Sequence, residues 1–94
     1  QQILRLEPNN LSALNNYAYL LATHGGALRL AESMSQRTIQ AQPDNATFLD
    51  TYAWILHLQG QDYLAAFYIQ KALHNAAEEE KEEIEKHYKI IMKE

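Results

Sequence analysis

The sequence predicts an all-α fold: an α–α superhelix, or solenoid, of tandem antiparallel helical hairpins forming a single domain over residues 1–94. Three observations predict it. Pro8-Asn9-Asn10 returns as Pro43-Asp44-Asn45, 35 positions later. Leu14, Tyr17, Ala18, Leu21 and Gly25 return at the same interval as Leu49, Tyr52, Ala53, Leu56 and Gly60. The β-branched residues are scattered and never alternate, so nothing in the pattern supports strands. A period of this length belongs to stacked helical hairpins, in which no unit buries its apolar face alone.

Each element follows from local chemistry. Asn10 is placed to cap a first helix running to about His24, where Gly25-Gly26 supplies the backbone freedom of a stop. Leu14, Tyr17, Ala18, Leu21 and Ala22 fall on one stripe of that helix at steps of three and four. A second helix over about 28–41 carries Leu28, Ala31, Met34, Thr38 and Ile39. It ends before Pro43, because the residue preceding a proline disfavours helix. Asn45 caps a third helix that stops at Gly60 and presents Phe48, Leu49, Tyr52, Ala53, Ile55 and Leu56. Asp62 caps or charges the start of a fourth, whose stripe is Leu64, Ala65, Tyr68, Ile69, Ala72 and Leu73. Asn75 offers a left-handed end to it. A fifth helix spans about 78–93, with Glu82–Lys86 and Glu85–Lys89 spaced as favourable pairs on a solvated face. Connections this short make neighbouring helices antiparallel. Ala18, Ala31, Ala53 and Ala65 stand where helices approach most closely, since an interaxial distance of about 8–10 Å admits only small side chains there.

These residues resemble the tetratricopeptide repeat. The resemblance rests on Leu49, Tyr52, Ala53 and Leu56, then Gly60, then Ala65, Ile69 and Ala72. In the preceding unit it rests on Leu14, Tyr17, Ala18, Leu21, Ala31 and the closing Pro43. Two repeats, 9–42 and 44–75, lie between a stretch at 1–7 that reads as the tail of an earlier repeat and a segment at 78–94 that reads as a capping helix or a truncated third repeat. One extra residue in the Gly25-Gly26 turn makes the spacing 35 rather than the usual 34. The chain departs from the pattern at Tyr17 and Tyr52, where leucine is usual, and at Ala18 and Ala53, which replace glycine. Ser35 replaces an aromatic, and Ala77 stands where a proline is expected.

Function is narrowed by exclusion. The net charge is −4, with five acids and four bases in residues 1–77 and seven acids and four bases in 78–94. No basic face or phosphate-cradling glycine loop is present, so nucleic acid is not the expected partner. No apolar run approaches the roughly eighteen residues of a membrane span, so membrane insertion by this segment is not expected. Nor does the start resemble a secretion leader. The absence of cysteine removes disulfides and thiolate chemistry and suits any compartment. His24, His57, His74 and His87 lack metal-ligand spacing, and no nucleophile motif occurs, so neither an enzyme nor a cofactor or metal site is expected. His24 and His74 sit in last turns, where imidazole favours the helix dipole.

Binding remains. In the family that the chain resembles, the first helix of each repeat lines a concave groove, which implies Asn15, Tyr19 and Ala22 from one repeat and Asp50, Trp54 and His57 from the next. Tyr19 and Trp54 are equivalent positions and are the expected aromatic anchors. Asn15, Asp50 and His57 are the expected polar contacts for a peptide segment of a protein partner. A competing expectation packs Trp54 against the fourth or fifth helix as core. The subtype that clamps a peptide carboxylate fits poorly, because only Asn15 and Lys86 are suitable and Asp50 would repel the ligand. The alternative function is a structural spacer within a longer repeat protein, or weak self-association through ends that expose Ile3 and Leu4 on one side and Ile90, Ile91 and Met92 on the other.

Overall fold

Local capping chemistry sets where the helices begin. The computed structural model of the chain describes residues 10–93. The Asn10 side chain accepts the Ala13 N–H at 3.0 Å and opens α1, Leu11–Leu20. Asn45 accepts the Phe48 N–H at 3.0 Å and opens α3, Ala46–Leu58. Between them lies α2, Leu28–Ala41; α4, Asp62–Asn75, and α5, Glu78–Met92, follow. The described residues are therefore all-α, without strands. The tail of an earlier repeat expected at 1–7, with Ile3, Leu4 and Pro8, lies outside the described residues.

The extra residue of the first unit has a visible home. Rather than ending at a tight glycine turn, α1 widens into a π-helical turn over Leu21–Gly25, and Gly26 then takes a left-handed φ of 69°. A π-turn is how a helix absorbs one inserted residue without losing its direction. As a result α1 matches α3 at an interval of 35, whereas α2 matches α4 at 34. Gly60, with φ 82°, ends α3 as its position predicts. Asn75 does not end α4 in the left-handed region; the chain leaves through extended Ala76 instead. That exit needs no permissive residue, because the next helix begins two positions later and Ala77 is also extended.

Burial follows the two intervals. Leu14 and Leu49, Ala18 and Ala53, Ala31 and Ala65, Ser35 and Ile69, and Thr38 and Ala72 are buried pairwise. α3 is central: it packs against α1, α2, α4 and α5, and α4 packs in turn on α5. The main core joins Leu49, Tyr52, Leu56, Ile69, Ile84 and Ile91, and a smaller one joins Ala18, Ala22, Ala31 and Ile55. The four alanines at 18, 31, 53 and 65 are fully covered, as close helix contacts require.

Four expectations about side chains are corrected. Tyr17 is 51% exposed although its counterpart Tyr52 is only 6% exposed. Tyr52 is closed over edge-on by Tyr68 at a centroid distance of 4.9 Å, while α2 offers Met34 at the matching place. Leu64 likewise faces outward rather than joining the α4 stripe. At the C-terminal end only Ile90 is exposed; Ile91 is in the core and Met92 packs against it. The ion pairs along α5 are Lys81–Glu78 at 3.7 Å and Lys86–Glu83 at 3.9 Å, spaced by three residues rather than four.

Candidate functional site

The faces of α1, α3 and α5 meet at a cleft of about 190 Å³. Its principal walls are Asn15 and Tyr19 of α1, Asp50 and Thr51 of α3, and Glu83 and His87 of α5. Helix spacing brings each of them there. Asn15 and Tyr19 are four apart on α1, Asp50 and Thr51 lie one turn before Trp54, and Glu83 and His87 are four apart on α5.

α5 is positioned by polar ties at both of its ends. The Glu80 carboxylate accepts the Ala77 N–H at 2.9 Å and the Thr47 hydroxyl at 3.1 Å, joining the start of α5 to the start of α3. Lys93 donates to Asp62 at 3.3 Å, joining the end of α5 to the start of α4. Between these ties Ile84, His87 and Ile91 form the buried edge of the helix.

His87 organises the floor of the cleft. Its Nδ1–H donates to Asp50 Oδ1 at 2.7 Å, and both side chains are buried. The same ring stacks on Trp54 at 4.3 Å with an interplanar angle of 25°, and Tyr19 lies 6.3 Å away. The His57 ring also approaches Trp54, tilted, at 5.0 Å. The tryptophan thus contacts two imidazoles and rests partly on the main core. Asp50 is pushed above the ordinary carboxylate value, first by burial and further by Glu83, with the His87 hydrogen bond opposing. The Tyr19 hydroxyl is pushed up by burial and then by the negative charges of Glu83 and Asp50.

Of the five residues singled out from the sequence, Asn15, Tyr19 and Asp50 line this cleft together. Trp54 stands behind it, covered on one side by α5, so the expectation of a core-packed tryptophan and that of an anchor meet in one residue. His57 is turned away: its Nδ1–H donates to Asp62 Oδ1 at 2.7 Å, next to the Lys93 ammonium. Ala22 is buried in the smaller core. Asn15 is 4% exposed, and its Oδ1 is enclosed without a hydrogen-bond partner.

His87 was not legible as part of this group, although the signal was present. Ile84, His87, Tyr88 and Ile91 fall at intervals of three, four and seven, which places the imidazole on the apolar edge of α5. Tyr63, at 91% exposure, and Phe67, at 60%, project from the outer side of α4 one turn apart, beside a shallow cavity of about 460 Å³.

Among the described residues no group of three or more His, Asp or Glu side chains could hold a metal ion. No helix among them is long and apolar enough to cross a membrane. No protein-family model matches the chain, and no curated protein or solved structure matches it either.

Proposed function

We propose that this chain is a tetratricopeptide-like solenoid segment that binds an extended peptide segment of a protein partner along the face shared by α1, α3 and α5. What supports the repeat reading is the pairwise burial at intervals of 35 and 34, together with the succession of contacts from α1 to α3 and from α3 to α5. What carries the binding reading is the cleft itself, where the half-buried Tyr19 ring and Asn15 share the lining, and where no described residue satisfies the enclosed Asn15 Oδ1. A buried polar atom without a partner costs free energy in the folded state, and a ligand donor that the Asn15 amide turns to meet recovers it. Trp54 acts here by backing the cleft rather than by inserting into the partner.

Selection of random dodecapeptides displayed on phage tests this reading. The expected binders lose affinity when Tyr19→Ala is introduced and keep it when Tyr63→Ala is introduced. Binders that depend on Tyr63 and Phe67 but ignore Tyr19 would reject the cleft.

The outer patch of α4 favours a second reading, in which the segment serves as a spacer that stacks on another copy or on neighbouring repeats. Tyr63, Leu64 and Phe67 form an exposed apolar strip of the kind that marks contact surfaces. Light scattering across a concentration series distinguishes the two. A mass that rises with concentration and returns to that of a monomer with Phe67→Glu supports stacking.

A further inference from the structure

We propose that the cleft between α1, α3 and α5 is a lysine pocket, receiving the ε-ammonium of a lysine side chain carried by the partner segment. The proposal rests on the cleft being the binding face and adds the chemistry of the group that enters it.

The walls offer acceptors and negative charge. Asn15 Oδ1 is a bare acceptor enclosed by the protein. Asp50 gives one carboxylate oxygen to His87 at 2.7 Å, and its other oxygen makes no hydrogen bond among the described residues. Glu83 closes the α5 side. No lysine or arginine is among the described residues that line the cleft. An anionic or carboxylate ligand would therefore meet two carboxylates with only Lys86, at the rim, to offset them. A neutral apolar group would leave both carboxylates without a counter-charge.

An ammonium fits this set. It carries three donors and no acceptor, and the cleft offers it the carboxylates of Asp50 on α3 and Glu83 on α5, with the Asn15 amide of α1 beside them. It is compact, which suits a space of about 190 Å³ better than the broad planar fork of a guanidinium. The methylenes of a lysine have an apolar surface to follow in the Tyr19 ring, and the ammonium gains from the ring face. The Tyr19 hydroxyl is raised first by burial and then by the charges of Glu83 and Asp50. At the rim Lys86 already approaches Glu83 at 3.9 Å. Both side chains are mostly exposed, so an incoming ammonium displaces that contact at little cost.

The experiment begins with the display selection, applied to the intact chain. Tyr19-dependent binders are expected to share a lysine, and one of them is synthesised with that lysine replaced in turn by norleucine and by arginine. Fluorescence of Trp54, the one tryptophan of the chain, reads the titration, because its ring is stacked on His87 at the cleft floor. Norleucine is expected to weaken binding by about tenfold or more, the loss that goes with a hydrogen-bonded charge. Arginine is expected to bind less well than lysine. Glu83→Gln, at an exposed position that leaves folding intact, is expected to weaken the lysine peptide and to shrink the difference between lysine and norleucine. Equal binding of the norleucine peptide overturns the lysine pocket while leaving the peptide-binding face in place, and equal binding of the arginine peptide overturns the preference for an ammonium. If no binder depends on Tyr19, the underlying reading of the face fails, and this proposal with it.

Discussion

Two aspartates in this chain each receive a histidine Nδ1–H at 2.7 Å, and their carboxyls move in opposite directions. Asp50, between α3 and α5, is pushed above the ordinary carboxylate value, because burial outweighs its hydrogen bond. Asp62, at the start of α4, is pulled below it by hydrogen bonds from His57 and then from Lys93. The bond lengths are the same, so geometry does not set the difference. Water does. An exposed carboxylate keeps its hydration and gains its donors as an addition, whereas a buried one gives up hydration that a single imidazole cannot replace. The pair that looks equally tight is therefore the costlier one, and it lies at the floor of the proposed binding cleft.

The largest break of this comparison comes from removing the imidazoles. His87→Ala leaves the Asp50 carboxylate enclosed without a donor and takes away the ring stacked on Trp54. Loss of one partner of a buried pair costs about 3–5 kcal/mol, which urea denaturation followed by circular dichroism would measure. His57→Ala at the exposed pair should shift the same midpoint far less. An apolar replacement of both buried partners, Asp50→Leu with His87→Phe, sharpens the point: it should recover most of the loss, because no charge is left to desolvate. Equal destabilisation by the two histidine variants would show that burial does not separate the pairs.

Asn15 extends the comparison across the repeat, since it occupies in α1 the place that Asp50 occupies in α3. Asp50 has His87 opposite it, while Asn15 Oδ1 has no partner. Asn15→Leu should therefore stabilise the fold by about 1 kcal/mol by removing an unsatisfied buried acceptor. The same change should abolish lysine-peptide binding. A gain in stability accompanied by a loss of binding is the signature of a polar residue kept for a ligand. A loss of stability would instead indicate that the amide supports the packing of α1 on α3.

The sequence carried the parts of this picture that depend on neighbours along the chain. Asn10 and Asn45 cap because each sits three residues before the N–H it accepts, and Gly60 ends α3 because only glycine takes φ 82° without strain. Ala18 and Ala53 announce close helix contacts by size alone. The cleft was half legible. Repeat matching set Asn15 and Tyr19 beside Asp50 and Trp54, but it says nothing of what a non-repeating helix brings. The Asp50–His87 bond spans 37 positions and joins a repeat to α5, whose apolar edge follows another register. Without that contact Asp50 reads as a free polar group, and Trp54 reads equally as an anchor or as core packed against the fourth or fifth helix. His57 was misplaced for a related reason. Its partner Asp62 lies just across the Gly60 turn, where the sequence pattern marks that charge as a helix-start feature. Tyr17 and Tyr52 share a sequence role, yet α2 and α4 cover them unequally, because Met34 and Tyr68 differ in reach.

Acid should separate the two aspartates by sign. The folded value of Asp50 is raised, so its contribution to stability is complete below the ordinary carboxylate value of about 3.9 and is lost as pH rises through the folded value. That of Asp62 is lowered, so its contribution is complete above about 3.9 and is lost as pH falls through the folded value. Relative to the parent chain, Asp50→Asn should lose more stability between pH 6 and pH 3, and Asp62→Asn should lose less. Urea midpoints across that interval read both outcomes, and carbon NMR of the carboxyls reads the displacements directly. Identical pH profiles for the two variants would remove the distinction.

Salt gives the smallest effect and the most selective one. At about 1 M ionic strength the screening length falls to roughly 3 Å, so exposed pairs weaken while enclosed ones are largely spared. The Asp62 carboxyl, held by His57 and an exposed Lys93 at 3.3 Å, should return toward its ordinary value. The Asp50 carboxyl should stay raised, because burial is the largest cause of its shift and desolvation does not depend on counterions. Lys93→Ala should mimic salt at Asp62 and leave Asp50 unchanged, which also checks whether the tie from the end of α5 to α4 transmits to the cleft. A simultaneous return of both carboxyls in salt would mean that water and ions reach the floor of the cleft, and that the two pairs differ in degree rather than in kind.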